Sequence, residues 1–521
     1  MPLYLGLDSS TQSLTGLLLD TDTGQLVAEE VVSYGEDLPA YASPQGFLPS
    51  EVPGVVHADP LLWLAALDLL LGRWRDAGAP LHRVAALSGA AQQHGSVSTN
   101  GDLGPRLERL EAFGSLPEAL APVLARPTAP IWLDTSTGED CRALEEAVDG
   151  QVRTITGSPA TERFTGPQVR KFAREEPAAY ARTTRIDLVS SFLASVLCGQ
   201  PAPLDHADAS GMNLLDLGRL AWHPDLLAAT APGLRERLPR LAPARRQAGT
   251  LAPYFRRYGL PPGLPVYTWT GDNPSSLAGT GAMGADCRVV SLGTSDTLFG
   301  RLERPEGDPE GCGHVFAGPA GGYLSLICFA NGSLAREAVK HGQGLSWEWF
   351  DGEAFARTPP GNRGNQLLPY FVPEITPRIP VAGVRRTGEP AFVAGRADPA
   401  TEVRAVVEAQ VLALRLHSAW MPGEPDHLRI TGGGAVSAGY RQVLADVFQR
   451  PVRRLAVANS SALGAALRAA EADGAGDWDT LTRTFCPTGE ESRPVAERQA
   501  VYEEALCAYR AWEDSVREEM G

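Results

Sequence analysis

The stretch LGLDSSTQSL, residues 5–14, returns in altered form as VSLGTSDTLF, residues 290–299. Each reads as a strand, a loop of small hydroxylated residues and a second strand. Around the first copy, apolar alternation predicts strands over 3–7, 13–20 and 25–34, with DTDTG as a tight turn. Three short strands joined this way form an antiparallel meander. A second meander opens at 288. A repeated design of this kind implies two related domains, and the boundary is placed near residue 284.

Between the two copies, helical and strand patterns alternate. Residues 59–78 have helical spacing with Asp59 as N-cap, 82–95 read as a strand running into a loop, and 130–148 as strand, loop and helix. After the second copy come a helix at 400–420, a strand, glycine loop and helix over 426–448, and an Ala/Gly-rich helix at 458–472. Alternation of this sort defines an α/β fold with a mixed sheet. Residues 350–395, rich in Pro and Gly, read as a long excursion, 474–495 as a loop, and 496–517 as a final helix.

Composition narrows the function. A chain of 521 residues is too long for one core. A net charge of −16 gives no basic surface for nucleic acid or an anionic membrane. The most apolar run, LLWLAALDLLLG, is too short to span a bilayer and carries Asp68. The seven cysteines are scattered, with no C-x-x-C, and the N-terminus has no basic region before Arg73. Both features fit a cytoplasmic protein rather than a secreted one. Of 46 basic residues only Lys171 and Lys340 are lysines, and neither follows a glycine, so any ATP is held without a Walker A loop.

Several stretches carry groups suited to phosphate or sugar chemistry. In DSSTQS, Asp8 ends a strand and hydroxyls follow, including Thr11; such a turn holds phosphate oxygens and a hydrated Mg²⁺, or is simply a capped hairpin. Gly293, Thr294 and Ser295 form the second loop of this type. Two facing loops would clamp the β- and γ-phosphates of a nucleotide. TGGGAVS, 431–437, lets backbone approach a ligand closely at Gly432, Gly433 and Gly434, or is a tight turn. SGAAQQHG, 88–95, places His94 at a strand's carboxyl end, where open α/β sheets bind ligands, and Gln92, Gln93 and His94 are suited to sugar hydroxyls. TERFTG, 161–166, offers Arg163 in a polar loop. TWTGDNPSSLAGTGAMG, 268–284, contains Asp272 and Asn273 ahead of small residues. Its G-x-G-x-x-G follows a helical pattern and precedes a strand, the reverse of a dinucleotide-binding loop, so it reads as a helix end.

Taken in order, these pieces resemble the FGGY family of carbohydrate kinases. The matching stretches include YLGLDSSTQSL, QQHG, WLDTSTGEDCRALEEAVDG, ERFTGPQVRKF, SGMNLLDL, TGDNPSSLAG, VSLGTSDTLF and TGGGAVS, from residue 4 to about 470. The substrate motifs are most similar to those of the animal-type kinases of D-xylulose, while the 431–437 loop has the bacterial form. The resemblance implies two actin-like, RNase H-like α/β domains around a catalytic cleft, with the sugar on residues 1–284 and ATP on 285–521. It implies Asp272 as catalytic base, and His94, Arg163, Asp272 and Asn273 as sugar-binding residues. Asp8, Thr11, Gly293, Thr294 and Ser295 would serve phosphate and Mg²⁺, with Asp8 toward the metal, and Gly432, Gly433, Gly434 and Ser437 the nucleotide. The tryptophan near adenine would be Trp347, with Trp349 the alternative two places on. The expected reaction is ATP-dependent phosphorylation of D-xylulose by a monomer or homodimer. Another pentulose or a pentitol as substrate, and a catalytically silent sugar-binding regulator, stay open. DSSTQS departs from the commoner D-x-G-T-T-S by placing Ser10 at the glycine.

Overall fold

The computed structural model describes residues 2–520, without the side chain of Met520. Its first sheet is built on three antiparallel strands, β1 (Leu3–Ser9), β2 (Ser13–Asp20) and β3 (Gln25–Ser33). Every residue of β1 is buried, as befits a strand covered on both faces, whereas β3 at the sheet edge exposes most of its residues. Helix α1 (Pro60–Asp76), capped by Asp59 accepting from the Leu61 amide, leads to β4 (Val84–Ala91), which pairs parallel to β1. Strands β5 (Gln247–Thr250), β6 (Pro265–Tyr267) and β7 (Thr270–Gly271) complete the sheet, and β7 runs into helix α2 (Asp272–Gly279).

The second sheet repeats the plan. Strands β8 (Cys287–Leu292), β9 (Asp296–Leu302), β10 (His314–Ala317) and β11 (Tyr323–Phe329) are antiparallel neighbours. Helix α3 (Ser333–Gly342) and the long α4 (Pro399–His417) follow, and β12 (His427–Thr431) then pairs parallel to β8 as β4 does to β1. Beyond α5 (Ala438–Phe448) and β13 (Val452–Leu455) comes helix α6 (Ser460–Ala472). The repeat seen at 5–14 and 290–299 is thus a repeat of topology: a meander whose first strand takes a parallel partner.

Helix α6 ties the halves together. It belongs to the second half in sequence, yet Ala462, Leu463, Ala466 and Leu467 pack on Tyr4, Leu17 and Leu19 of the first sheet, on the face opposite α1. The fit is close enough to exclude side chains. A Cβ on Gly6 would lie 2.1 Å from the Ala462 carbonyl oxygen. Where α6 crosses α2, Cβ atoms on Gly279 and Gly464 would lie 1.7 Å and 1.8 Å from backbone oxygens of the opposing helix. Gly279, first residue of the apparent G-x-G-x-x-G, therefore serves helix crossing.

Three sequence expectations change in detail. Residues 474–495 are not a loop: they hold helix α7 (Trp478–Phe485) and edge strand β14 (Thr488–Ser492), the latter a polar TGEES run in which only Thr488 favours a strand. The strand expected at the start of 130–148 is confined to Ala129–Pro130, and the helix begins at Gly138. The 350–395 excursion packs Leu367, Tyr370 and Phe392 against α4 and the final helix α8 (Gln499–Met520), so it belongs to the second core.

Candidate active site

Two neighbouring hollows occupy the cleft. One is lined by Asp8, Ser10, Asp272, Asn273, Gly432 and Gly433 together with the start of α6. The other, about 1060 Å³ of open space, is lined by Gly293, Thr294, Trp347, Gly433, Gly434 and Ser437, with Arg336, Phe350, Asp351 and Tyr440. Gly433 belongs to both, so they meet at the glycine loop. The first is polar and lies between the halves. The second is apolar on the side of Trp347 and Phe350, the arrangement for a ring system with a charged tail leading to the first.

Asp272 is the first residue of α2, with Gly271 at the N-cap. The helix dipole and the local amides favour its charged form. Its Oδ1 accepts from the backbone N–H of Asn273 at 2.9 Å and from Asn273 Nδ2 at 3.1 Å. Asn273 Nδ2 also donates to Gln93 Oε1 at 3.0 Å. Helix α2 is thereby fixed to the loop after β4, with Oδ1 held and the carboxylate on the cleft. Burial, and then the Asp8 charge, push the Asp272 carboxyl up to about 7, against the pull of the Asn273 and Gln93 amides. A carboxylate tuned to this range is suited to exchange a proton near neutral pH.

Asp8 ends β1. Its Oδ2 accepts from Ser10 Oγ at 2.6 Å, while its Oδ1 is buried with no partner. Burial pushes this carboxyl up to about 6, opposed by the hydroxyls of Ser10 and Ser461. An acceptor-only oxygen buried without a donor fits a cation or its water. Among the described residues no cluster of three His, Cys, Asp or Glu could cage a metal. A cation held here would keep most of its water, as Mg²⁺ does.

Of the residues expected to hold sugar, Asp272 and Asn273 line the first hollow, whereas His94 and Arg163 stand near each other off its lining, His94 following the Gln93 that holds Asn273. His94, which follows Gln93, is 8% exposed and adopts φ 70°. Its Nδ1 lies 2.7 Å from the Gly211 carbonyl oxygen, which only accepts. Nδ1 therefore carries the proton and Nε2 is left as an acceptor. Burial, with the nearby Arg163 charge, pushes the His94 ring down to about 3, so it is neutral. The ring stacks on Phe164 at 4.1 Å, and Phe164 belongs with Phe299 and Phe316 to a core shared with the second half. Arg163, next to Phe164, donates to His314 Nε2 at 3.1 Å and has no carboxylate partner among the described residues.

Not every expected residue lies on the hollows. Thr11 Oγ1 accepts from Trp132 Nε1 at 2.8 Å, and Ser10 is the loop hydroxyl on the cleft. Ser295 stands beside the Cys328 thiol, while Gly293 and Thr294 reach the second hollow. Trp347, 42% exposed, lines that hollow with Lys340 over its ring at 5.1 Å; Trp349 packs against the core instead. Sequence reading missed Gln93 as the tie to Asn273, and it missed Asp351 and Arg336 in the second hollow. It also missed Arg468, which extends from α6 to the carbonyls of Gly89 and Thr268 beneath the buried carboxyls of Asp205 and Asp208. Paired glutamines before a histidine were the available signal for the first; nothing local marks the others.

Two sheets of one plan, closed on a cleft with a carboxylate at a helix start and a glycine loop opposite, define a two-domain phosphotransferase. The chain belongs to the FGGY family of carbohydrate kinases: residues 127–279 match its N-terminal domain and residues 289–472 its C-terminal domain. It is 38% identical to xylulose kinase 2 of Arabidopsis thaliana, covering 90% of this chain and 87% of that one. To the xylulose kinase of Rattus norvegicus it is 39% identical over 89% of this chain and 87% of the other. Its fold matches the crystal structure of a xylulose kinase from Rhodospirillum rubrum with TM-score 0.84 at 24% identity, over 99% of each chain. The protein is accordingly a sugar-phosphorylating enzyme of a family that uses ATP. Among the described residues no helix is long and apolar enough to cross a membrane.

Proposed function

We propose that the protein transfers the γ-phosphoryl group of ATP to D-xylulose, giving D-xylulose 5-phosphate, in the cytoplasm. The relatives' substrate supports the choice of sugar. The observation that carries the mechanism is Asp272: a carboxylate fixed through Oδ1, facing the cleft and tuned to about 7. The sugar binds on residues 1–284, where neutral His94 accepts a hydrogen bond from a hydroxyl at Nε2 and Arg163 donates. Asn273 orients the acceptor end. Asp272 takes the proton of the terminal hydroxyl as that oxygen attacks. Residues 285–521 hold the nucleotide: Trp347 stacks on the base, the backbone of Gly432, Gly433 and Gly434 with Ser437 passes close to the ribose and phosphates, and Gly293 and Thr294 face the phosphate tail. Asp8, with Thr11 supporting its hairpin, would hold Mg²⁺ through water. When bound, Mg²⁺ neutralises charge on the phosphates. Closure of the halves excludes water and suppresses idle hydrolysis.

The deciding experiment is coupled ADP release with Mg²⁺ and ATP over D-xylulose, D-ribulose, L-ribulose, D-gluconate, glycerol and no sugar. Strong stimulation by D-xylulose alone, lost by about 10²–10⁴-fold in Asp272→Ala, supports the reading. A better turnover with D-ribulose keeps the kinase and replaces the sugar. Full activity of Asp272→Ala removes the base.

A further inference from the structure

The chamber around Asp8 has a wall that neither phosphate loop supplies. It is the start of α6, where Asn459, Ser460 and Ser461 line the same hollow as Asp8 and Asp272. Asn459 holds the N-cap position at φ 56° but makes no capping bond. Its side-chain amide donates to Glu29 Oε1 at 2.5 Å instead. The first turn of α6 therefore opens toward the chamber without a side-chain cap.

Two oxygens in this chamber are buried and unpartnered. One is Asp8 Oδ1, in a residue 6% exposed; the other is Ser461 Oγ, in a residue 8% exposed. The Ser461 hydroxyl stands beside the Asp8 carboxylate without a hydrogen bond of good geometry. Both oxygens can accept. A single donor able to serve both is a water held and polarised by a divalent cation, because Mg²⁺ retains several of its waters in protein sites. The spacing between them is fixed by main chain. Gly6, two residues before Asp8, has no room for a Cβ against the Ala462 carbonyl, next to Ser461. A hydroxyl from the second half is thereby locked against a carboxylate of the first.

We propose that Ser461 is a positioning residue for the divalent cation at Asp8, its hydroxyl accepting from a cation-bound water that also donates to Asp8 Oδ1. The inference rests on Asp8 as the metal-bearing carboxylate. Removing such an outer-sphere partner typically weakens metal affinity by 10–100-fold.

The test is direct binding of Mn²⁺ to the protein–ADP complex, followed by electron paramagnetic resonance, for the wild type, Ser461→Ala, Ser461→Thr and Asp8→Asn. Metal-free ADP affinity and the thermal midpoint are measured alongside. The expected result is Mn²⁺ affinity reduced by about 10–100-fold in Ser461→Ala, restored in Ser461→Thr, with metal-free ADP affinity unchanged. If Ser461→Ala binds Mn²⁺ like the wild type while Asp8→Asn does not, the role of Ser461 is refuted and that of Asp8 stands. If Asp8→Asn also binds Mn²⁺ like the wild type, both fall. If Ser461→Ala loses metal-free ADP affinity in the same proportion, the residue shapes the cleft and does not serve the cation.

Discussion

The two repeated hairpins carry one acid each and treat it in opposite ways. In the second, Asp296 is clamped by Arg336, whose Nη1 and Nη2 lie 2.6 and 3.1 Å from its two oxygens; Gln410 Oε1 accepts from the same guanidinium. In the first, Asp8 has a serine hydroxyl on one oxygen and nothing on the other. Both acids are buried, and both hairpins have the same strand neighbours. A neutralised acid is a structural strut. A bare one retains its charge for something that arrives later. The repeat supplies two similar scaffolds that carry the acid at different places, on the first strand for Asp8 and at the start of the second for Asp296, and Arg336 on α3 neutralises only the latter.

The sharpest way to break this contrast is to neutralise each acid. Asp296→Asn leaves the Arg336 guanidinium buried without its counter-charge, a loss of about 3–5 kcal/mol. A large fall in the denaturant midpoint of the second half is expected. Asp8→Asn should do the reverse. The Asp8 carboxyl is raised from 3.8 to about 6 in the folded chain, so its protonated form is the one the fold favours. Stability from this group is present below pH ~4 and is lost as pH rises through about 6. The Asn variant, permanently neutral, should therefore match the wild type at pH ~4 and exceed it by roughly 2–3 kcal/mol above pH ~6, while metal-dependent activity collapses. Equal stability of the two at pH 7.5 would show that Asp8 is already compensated.

A second contrast concerns pH and activity. With Asp272 raised to about 7 and required in its charged form, kcat/KM for the sugar should rise with pH and level off above an apparent pKa at or below about 7. The limb should move to lower pH with Mg²⁺ bound, since a cation near Asp8 favours the charged carboxylate. A flat profile from pH 5 to 8 would exclude Asp272 as the titrating group. The smallest effect is expected at the tryptophans. Trp347→Ala should raise the KM for ATP by roughly threefold to tenfold, from ~0.5–1.5 kcal/mol of lost ring contact. Trp349→Ala should leave that KM unchanged and lower the thermal midpoint; the opposite pattern would exchange their roles.

The meanders and the candidate loops could be read in the sequence because each depends on a local signal, while the cleft between them was implied by the family resemblance. Asp8 closes an alternating strand, Asp272 precedes a proline and small residues, and glycines follow the strand before 432. What was missed depends on distant parts of the chain. Gln93 matters because Asn273 is folded against it, and Arg336 because Asp296 lies beside α3. Thr11 shares its motif with Ser10, but in the turn between β1 and β2 its hydroxyl accepts from Trp132, a residue far along the chain. Strand β14 escaped notice because TGEES is paired at an edge by its partner rather than by its own propensity.

Helix α6 has a consequence for how the chain is made. The first sheet emerges from the ribosome complete in its strands by residue 271, yet the helix that covers one of its faces begins at Ser460. At roughly 5–20 residues per second, Tyr4, Leu17 and Leu19 wait of the order of ten to forty seconds for their cover. During that interval an apolar face with an edge strand beside it is open to solvent. A nascent chain halted near residue 300 should accordingly be cut by protease within the first sheet, and one halted beyond 500 should resist. The enzyme is two domains by plan and one unit by synthesis.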